Sequence, residues 1–205
     1  MSIASTIKRA SRVMEYDLAY RAWQAPFAEQ KFAPVRAAND IGAVRRVLDV
    51  GCGPGTNAHW FRHADYVGID FNPEYIESAR RRHGRTFIVA DVTRYEVDPA
   101  ERFDFILANS LFHHIDDANV RRILAHLATL LTPDGHVHVL DLVLPPRGIA
   151  RTMALADRGN HPRPLEEWRR LFGEAFGEVQ FTPYALGVGP VALWQMVYFK
   201  GRATR

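Results

Sequence analysis

The sequence predicts an α/β fold in which one mostly parallel sheet carries helices on both faces. Three observations predict it. Apolar segments of strand length alternate with segments of helical periodicity between residues 44 and 144. The first apolar segment leads directly into a glycine-rich turn, and the last two are joined without a helix. Because parallel strands need right-handed crossovers, the sheet is doubly wound, and residues 1–205 suffice for a single domain.

The N-terminal segment, residues 1–43, is predicted to be helical. Apolar and aromatic residues recur near helical spacing from about residue 4 to 42, at Val13, Tyr16, Tyr20, Trp23 and Phe27. We expect Pro26 and Pro34 to break this region into pieces, since proline removes a helical hydrogen bond.

The core, residues 44–144, is predicted to contain five strands that alternate with three helices. The strands cover residues 45–50, 66–70, 86–90, 103–108 and 136–143, and the helices cover residues 56–63, 73–82 and 116–131. Asn72 is the predicted N-cap of the second of these helices, with Pro73 in its first turn. Thr132-Pro133-Asp134-Gly135 predicts a turn before the fifth strand.

The pattern changes after residue 144. Residues 145–163 begin with the break Pro145-Pro146-Arg147-Gly148 and carry few strong signals. Residues 164–205 predict a helix over 164–176, then strands over 178–182 and 192–200 with a loop of about ten residues between them. With no helix to cross over, these two strands should pair antiparallel.

The glycine loop Gly51-Cys52-Gly53-Pro54-Gly55 follows the first predicted strand, at the edge where open α/β sheets bind ligands. Its spacing departs from the dinucleotide fingerprint, because Gly55 comes one residue early and Thr56 takes the third small position. Asp49 precedes the loop, and a carboxylate there disfavours a pyrophosphate. A phosphate-free, cationic nucleoside such as S-adenosylmethionine suits it better.

Two further carboxylates follow strands of the same sheet. Asp70 ends the second strand, about twenty residues after the loop begins, where it can accept hydrogen bonds from ribose hydroxyls. NAD enzymes share that feature, so it does not discriminate between ligands. Asp91 follows the third strand, where it can accept a hydrogen bond from an adenine amino group while the N–H of Val92 donates to the ring.

Together these segments resemble the class I S-adenosylmethionine-dependent methyltransferases over about residues 44–144. The matching segments are Asp49-Val50-Gly51-Cys52-Gly53-Pro54-Gly55, Val67-Gly68-Ile69-Asp70, Asp91-Val92, Asn109-Ser110-Leu111-Phe112-His113-His114-Ile115 and Leu130-Leu131-Thr132-Pro133-Asp134-Gly135. The resemblance implies a Rossmann-like sheet of seven strands in the order 3-2-1-4-5-7-6, with strand 7 antiparallel. It also implies S-adenosylmethionine as cofactor and S-adenosylhomocysteine as product.

The resemblance carries a cofactor site onto this sequence. Its residues are Asp49, Gly51, Cys52, Gly53, Asp70, Phe71, Asp91, Val92 and Asn109. In relatives an N-terminal helical segment often folds over the cofactor, which implies a lid from residues 1–43, with Tyr20 and Arg21 near the methionine carboxylate. Residues 145–163 are the candidate acceptor lid, and their shortness favours a small or medium acceptor.

Candidate catalytic groups follow the fourth strand. His113 and His114 lie at the same edge of the sheet as the glycine loop, and histidine is the natural base near neutral pH. Cofactor positioning and packing remain alternatives for both residues. The pairs His59/His63 and His136/His138 have spacings that can bind metal but lack a further ligand, so the sequence predicts no metal.

Composition narrows the partners. The pI is 9.2, yet the net charge is only +3 and no aromatic-rich basic stripe appears, so no nucleic-acid partner is expected. Cys52 is the single cysteine, which suits the cytoplasm, and no apolar run is long enough to cross a bilayer. We expect a monomer or a homodimer.

The predicted function is methyl transfer from S-adenosylmethionine to a small-molecule acceptor by in-line displacement, with the acceptor atom (O, N or C) open. Two alternatives stay open: an RNA or protein methyltransferase, and a methyltransferase-fold protein that binds the cofactor without transfer. An NAD(P)-dependent oxidoreductase is disfavoured by Gly55 and Asp49.

Overall fold

A computed structural model describes residues 27–157 and 159–204. Within them lie seven strands: β1 (Arg46–Val50), β2 (Asp65–Asp70), β3 (Thr86–Val89), β4 (Phe103–Asn109), β5 (Leu131–Val143), β6 (Phe176–Val188) and β7 (Val191–Ala203). The same residues form five α-helices: α1 (Ala28–Ala38), α2 (Pro73–Arg82), α3 (Asp117–Leu130), α4 (Ile149–Ala156) and α5 (Leu165–Gly173). The expectations for Val13, Tyr16, Tyr20, Arg21, Trp23 and Pro26 lie outside the described residues.

The strands form one sheet in the order β3-β2-β1-β4-β5-β7-β6, which confirms the predicted fold. β1 to β5 pair in parallel with one another, and β7 runs antiparallel to both β5 and β6. Val50, at the end of β1, lies beside Ile69 of β2 and Ala108 of β4. The carboxyl ends of these strands are therefore level, and the strand order reverses between β1 and β4, where such sheets bind ligands.

Helices cover both faces of the sheet because successive side chains of each strand point to opposite sides. Val47 packs with α1 and α2 on one face, in a cluster that includes Phe32. Leu48 packs with α3 and α5 on the other face, in a cluster that includes Leu124 and Trp168. The sheet therefore lies between two buried layers, which hold in position the strand ends that carry the candidate site.

The predicted helix over residues 56–63 is wrong. The segment forms turns and a short 3₁₀ helix, Ala58–Trp60. Tertiary contacts override the helical pattern: Asn57 turns into the interior, and Arg85 donates from its guanidinium to the carbonyls of Phe61, Arg62 and Ala64. A continuing α-helix would need its carbonyls for its own N–H groups, so these external donors favour the turns.

The prediction that Pro34 breaks the N-terminal segment is wrong. Pro34 lies inside α1. Phe32 and Val35, the helix neighbours of Pro34, are fully buried against the sheet. Their burial offsets the hydrogen bond that the proline removes.

The C-terminal strands pair antiparallel as predicted, but the predicted loop of about ten residues between them is wrong. β6 and β7 are thirteen residues each, and only Gly189 and Pro190 separate them. Gly189 has a φ of +56°, in the left-handed region that tight hairpin turns require. Pro183 lies inside β6, which is the edge strand, where a proline need not cost a sheet hydrogen bond.

The predicted turn at residues 132–135 is a bulge inside β5. The pairing with β4 jumps from Leu131 opposite Phe103 to His136 opposite Phe105. The strand therefore begins before the turn signal and continues after it.

Replacing Phe32 by alanine should lower the free energy of unfolding by about 3–5 kcal/mol, because a buried ring is lost and a cavity remains. Phe32 is 1% exposed and stacks on Trp60 with ring centroids 4.8 Å apart. Urea denaturation monitored by circular dichroism measures the change. Phe71→Ala is the matched control, since that ring is 81% exposed, and its effect should stay within about 0.5 kcal/mol. Equal losses in both variants would contradict the packing described here.

Candidate active site

The glycine loop, residues 51–55, joins β1 to the turn that follows it. Gly51 and Gly53 have φ values of +66° and +53°, which glycine adopts without steric cost. The N–H groups of Gly51 and Cys52 donate to the carbonyl of Ile69 at 2.9 and 3.0 Å, which ties the loop to β2. A Cβ on Gly53 would meet no described atom within 4 Å. The backbone there is open to a ligand.

Asp49 lies fully buried beneath this loop. Its Oδ2 accepts hydrogen bonds from the hydroxyl of Tyr66 at 2.5 Å and from the amide of Asn57 at 3.1 Å. Its Oδ1 is buried and has no hydrogen-bond partner among the described residues. Burial raises the pKa of Asp49 to about 7, against the two hydrogen bonds, which lower it. An orphaned carboxylate oxygen in this position suits a cationic donor.

Asn109 extends the same hydrogen-bond chain from the end of β4. Its amide donates to the Oδ1 of Asn57 at 3.0 Å, and Asn57 in turn donates to Asp49. The Oδ1 of Asn109 is a second buried oxygen without a partner among the described residues. Ser110 follows with a φ of +56°, a strained value of the kind found at functional sites. Sequence reasoning did not single out Asn57, which sits at the end of the glycine motif.

Asp70 joins the glycine loop to the end of β2. Its Oδ2 accepts from the N–H of Gly53 at 3.0 Å, and its Oδ1 accepts from the N–H of Asn72 at 2.8 Å. Each carboxylate oxygen keeps a further lone pair for a hydroxyl donor. Phe71 is 81% exposed and Val89, the register partner of Asp70 on β3, is 47% exposed. Two apolar surfaces therefore flank the carboxylate in open positions.

Asp91 lies just beyond β3, at the start of a 3₁₀ turn, Val92–Arg94. Its Oδ1 accepts from the backbone N–H of Thr93 at 2.9 Å and from the Thr93 hydroxyl at 2.8 Å. These two hydrogen bonds lower the pKa of Asp91. The side chain therefore caps the turn as an ionised acceptor, and the turn presents the backbone of Val92 beside it.

His113 lies in a 3₁₀ turn after β4 and is buried between two carboxylates. Its Nδ1 is 2.6 Å from Asp141 Oδ1, and its Nε2 is 3.2 Å from Asp157 Oδ1. Burial lowers the pKa of His113, but the charge and hydrogen bond of Asp141, joined by those of Asp157, outweigh it and raise the pKa to about 9. This arrangement favours a charged imidazolium at neutral pH over a free base. His114, the next residue, is exposed.

Asp141 is a fully buried carboxylate on β5 that sequence reasoning missed. Besides His113, it accepts from the backbone N–H groups of Phe112 and Leu142, each at 2.8 Å. The position of Asp141 in the sequence could have indicated its role, because an acidic residue between leucines in a buried strand has to be paired.

Arg163 is a second missed residue, and it holds the histidine turn from the opposite side. Its guanidinium donates to the carbonyls of Phe112 at 3.0 Å and Ile115 at 2.6 Å, and to Asp117 at 2.8 Å. The side chain is 3% exposed and lies over Trp168, 4.6 Å from the ring centroid. The hydrogen bonds of the buried guanidinium therefore fix the turn that carries both histidines.

Lys31, a third missed residue, brings an ammonium group from α1 toward the same carboxylates. Burial lowers its pKa to about 8, against the opposing charges of Asp141 and Asp157. The carbonyl of Lys31 accepts a hydrogen bond from the Tyr184 hydroxyl on β6 at 2.9 Å. The N-terminal helix is thereby joined to the C-terminal hairpin beside the candidate site.

Other sequence candidates have structural partners. Burial raises the pKa of the Cys52 thiol, and the charges of Asp49 and Asp70 act in the same direction, so it stays protonated. His138 is buried, with its ring stacked on Phe105 and its Nδ1 3.0 Å from the Tyr198 hydroxyl. Tyr20 and Arg21 lie outside the described residues.

The chain resembles known methyltransferases. Residues 47–135 match the family model described as a methyltransferase domain. A ubiquinone biosynthesis O-methyltransferase from Bradyrhizobium diazoefficiens is 31% identical over 143 residues, which are 66% of this chain and 55% of that protein. A TehB-like SAM-dependent methyltransferase from Corynebacterium glutamicum matches with a TM-score of 0.69 at 14% identity, over 95% of this chain and 100% of its own. The N-methyltransferase NodS from Bradyrhizobium japonicum, in complex with S-adenosyl-L-homocysteine, matches with a TM-score of 0.63 at 19% identity. The match covers 90% of this chain and 87% of the NodS chain.

Over residues 47–135 the chain is similar to methyltransferase domains, and its fold is that of SAM-dependent methyltransferases of known structure. It spans about half the length of the curated relative named above. The sheet of the described residues has seven strands, with strand 7 antiparallel between strands 5 and 6. No helix among the described residues is long and apolar enough to cross a membrane.

The Asp49 carboxyl should make the stability of the ligand-free methyltransferase domain depend on pH. Its folded pKa is about 7 and its ordinary value is 3.8, so between these values the folded chain binds a proton that the unfolded chain does not. The free energy of unfolding should therefore fall as pH rises from about 4 to about 7, by a few kcal/mol at about 1.4 kcal/mol per pKa unit. Urea denaturation of wild type and Asp49→Asn at each pH isolates this contribution. A difference between the two proteins that is constant with pH would refute it.

Arg163→Met should lower the free energy of unfolding by about 3–5 kcal/mol, because it leaves Asp117 and three carbonyls without their buried donor. Arg163→Lys should recover only part of the loss, since an ammonium cannot reproduce the planar set of donors. The comparison variant is Arg169→Met, which breaks an exposed ion pair with Glu178 and should cost at most about 1 kcal/mol. Thermal and urea unfolding measure all three, and an Arg163→Met loss no larger than that of Arg169→Met would contradict the bracing role.

Proposed function

We propose that the chain transfers a methyl group from S-adenosylmethionine to a small-molecule acceptor by in-line displacement and releases S-adenosylhomocysteine. The observation that carries the proposal is the pair of buried oxygens on Asp49 and Asn109 that have no partner among the described residues. Asn57 links the two side chains by hydrogen bonds, and the glycine loop between Asp49 and Asn57 has an open backbone at Gly53. A diphosphate in this place would add negative charge beside a buried carboxylate. An α-ammonium group supplies the missing donors and the compensating charge.

The proposed cofactor site follows the edge of the sheet from β4 to β3. The methionine end would lie against Asn109, Asp49 and the loop Gly51-Cys52-Gly53, and the ribose hydroxyls would bond to Asp70. The adenine ring would lie between the apolar side chains of Phe71 and Val92, with its amino group at Asp91. The exposure of Phe71 supports this, because an isolated aromatic side chain in solvent is suited to stack on a ring. Tyr20 and Arg21 complete the proposed set toward the methionine carboxylate.

The cofactor supplies a methyl group on a positively charged sulfur, which becomes neutral on transfer. The protein's own contribution is then to hold the acceptor in line and keep water out. α4, at the centre of the candidate acceptor lid, presents Ile149 and Leu155 with 60% and 58% exposure. Large apolar side chains left open on a short helix beside the site suit an acceptor with apolar surface.

Within this proposal the two histidines have different roles. His113, held between Asp141 and Asp157, fixes the shape of the acceptor side. The exposed His114 is the better candidate for a general base, which the reaction needs when the acceptor is a hydroxyl or a protonated amine. The acceptor atom stays open, since the similar proteins named above include both O- and N-methyltransferases. We further propose a cytoplasmic monomer or homodimer without a nucleic-acid partner.

Isothermal titration calorimetry with S-adenosylhomocysteine tests the cofactor site. Wild type should bind it, and Asp49→Asn should bind about 10–100-fold more weakly, since a charge-assisted hydrogen bond contributes about 1.5–3 kcal/mol. Asp134→Asn is the matched control, because Asp134 is exposed at the opposite edge of the sheet, and it should bind like wild type. Wild type that binds NADH but no S-adenosylhomocysteine would end the proposal.

Transfer itself is tested by incubating the protein with S-adenosylmethionine labelled in the methyl group and a panel of small acceptors. Label in a small product, absent with Asp49→Asn at the same cofactor concentration, is the expected result. Cofactor binding without transfer to any acceptor would leave a binding protein and contradict the proposed reaction.

A further inference from the structure

Three side chains beside the proposed acceptor position can hold a metal ion, which no sequence spacing indicated. His113, His114 and Asp157 each offer a ligand atom, and these atoms lie within 4.8 Å of one another. The two histidines are consecutive in the turn after β4, and Asp157 comes from the end of α4, more than forty residues later. We propose that these residues form a zinc site.

The orientation of His113 is that of a metal ligand. The buried Asp141 lies 2.6 Å from Nδ1, which keeps a proton on that nitrogen and turns Nε2 toward Asp157. Zinc binding at Nε2 would release the second proton of the imidazolium, as metal binding to histidine requires. Histidines that bind metals usually donate their other N–H to a carboxylate in this manner, and the carboxylate sets both tautomer and ring orientation. Asp141 is fully buried and takes two backbone N–H donors besides, so it holds this orientation firmly.

The separation of the donors also fits zinc. Nε2 of His113 and Oδ1 of Asp157 are 3.2 Å apart. Two ligands at about 2.0–2.2 Å from a tetrahedral zinc ion are separated by about 3.3–3.6 Å, so one ion fits between these atoms after they move apart by a few tenths of an ångström. The rings of His113 and His114 have centroids 4.1 Å apart, which brings the second imidazole to the same side. Two nitrogen ligands and one oxygen ligand form a donor set that zinc favours.

Three protein ligands leave one tetrahedral position open, as in catalytic zinc sites. A further ligand can take the open position. An acceptor hydroxyl or thiol bound there would lose its proton more readily, because the ion stabilises the anion. The inference concerns metal binding alone and does not depend on the proposed transfer.

Metal-free protein, prepared by dialysis against a chelator, is titrated with zinc in competition with a chromophoric chelator. Wild type should bind about one zinc ion per chain, and zinc should raise the midpoint of thermal unfolding. His114→Ala should weaken binding at least 100-fold, because it removes a ligand from an exposed position and leaves the bridge from Asp141 to Asp157 intact. Asp141→Asn, where it folds, should weaken binding about 10–100-fold.

The control is the double variant His59→Ala/His63→Ala, which removes two histidines four residues apart and outside the cluster. It should bind zinc like wild type. Absence of zinc binding by wild type would overturn the site and leave His113 as a protonated bridge. Zinc binding that survives in His114→Ala but is lost in the control variant would also overturn it. Calorimetry with S-adenosylhomocysteine on the same metal-free sample tests the proposed function separately, because a protein that binds the nucleoside but no zinc refutes only the metal site.

Discussion

The buried carboxylate of Asp49 is the constraint on which the rest of the site depends. Removing a carboxylate from water costs several kcal/mol unless partners compensate. Here the partners come from two directions: Tyr66 from β2, and Asn57 from the turn after the glycine loop, which Asn109 of β4 holds in turn. The carboxylate thus links β1, β2 and β4 at the point where the strand order reverses. Because one of its oxygens lacks a donor, the site is electrostatically incomplete without a cationic ligand.

On the proposed acceptor side, charge is balanced within the protein. There the carboxylates Asp141 and Asp157 are matched by His113 and by Lys31, so the charges largely compensate within the protein. The histidine turn is packed so closely that a Cβ on Gly159 would lie 2.1 Å from the ring of His113. Shape in this half therefore comes from contacts among β4, β5, α4 and the segment before α5, which are far apart in the chain.

This difference explains which features the sequence could predict. The cofactor half is local: Asp49 and the glycines are neighbours in sequence, and Asp70 and Asp91 each follow a strand whose apolar pattern is readable. The acceptor half depends on pairs that are distant in sequence, so Asp141, Arg163 and Lys31 resembled isolated charges in a strand, a loop and a helix. The wrong helix over residues 56–63 has the same origin, because Arg85 and Asp49 satisfy that segment's polar groups from outside it. The extended hairpin was missed because an edge strand tolerates the proline and glycines that elsewhere mark loops.

In the proposed reaction the two halves also divide the energetics. Asp49 and Asn109 would contact an ammonium group that is identical in S-adenosylmethionine and S-adenosylhomocysteine. Interactions that do not change along the reaction bind the ground state and the transition state equally, so they contribute affinity and not rate. The rate and the choice of acceptor must then come from the other half, where His113, His114 and the lid helix α4 meet. Because the motifs readable in the sequence all lie on the proposed cofactor side, they indicate the cofactor of the proposed reaction without indicating its acceptor.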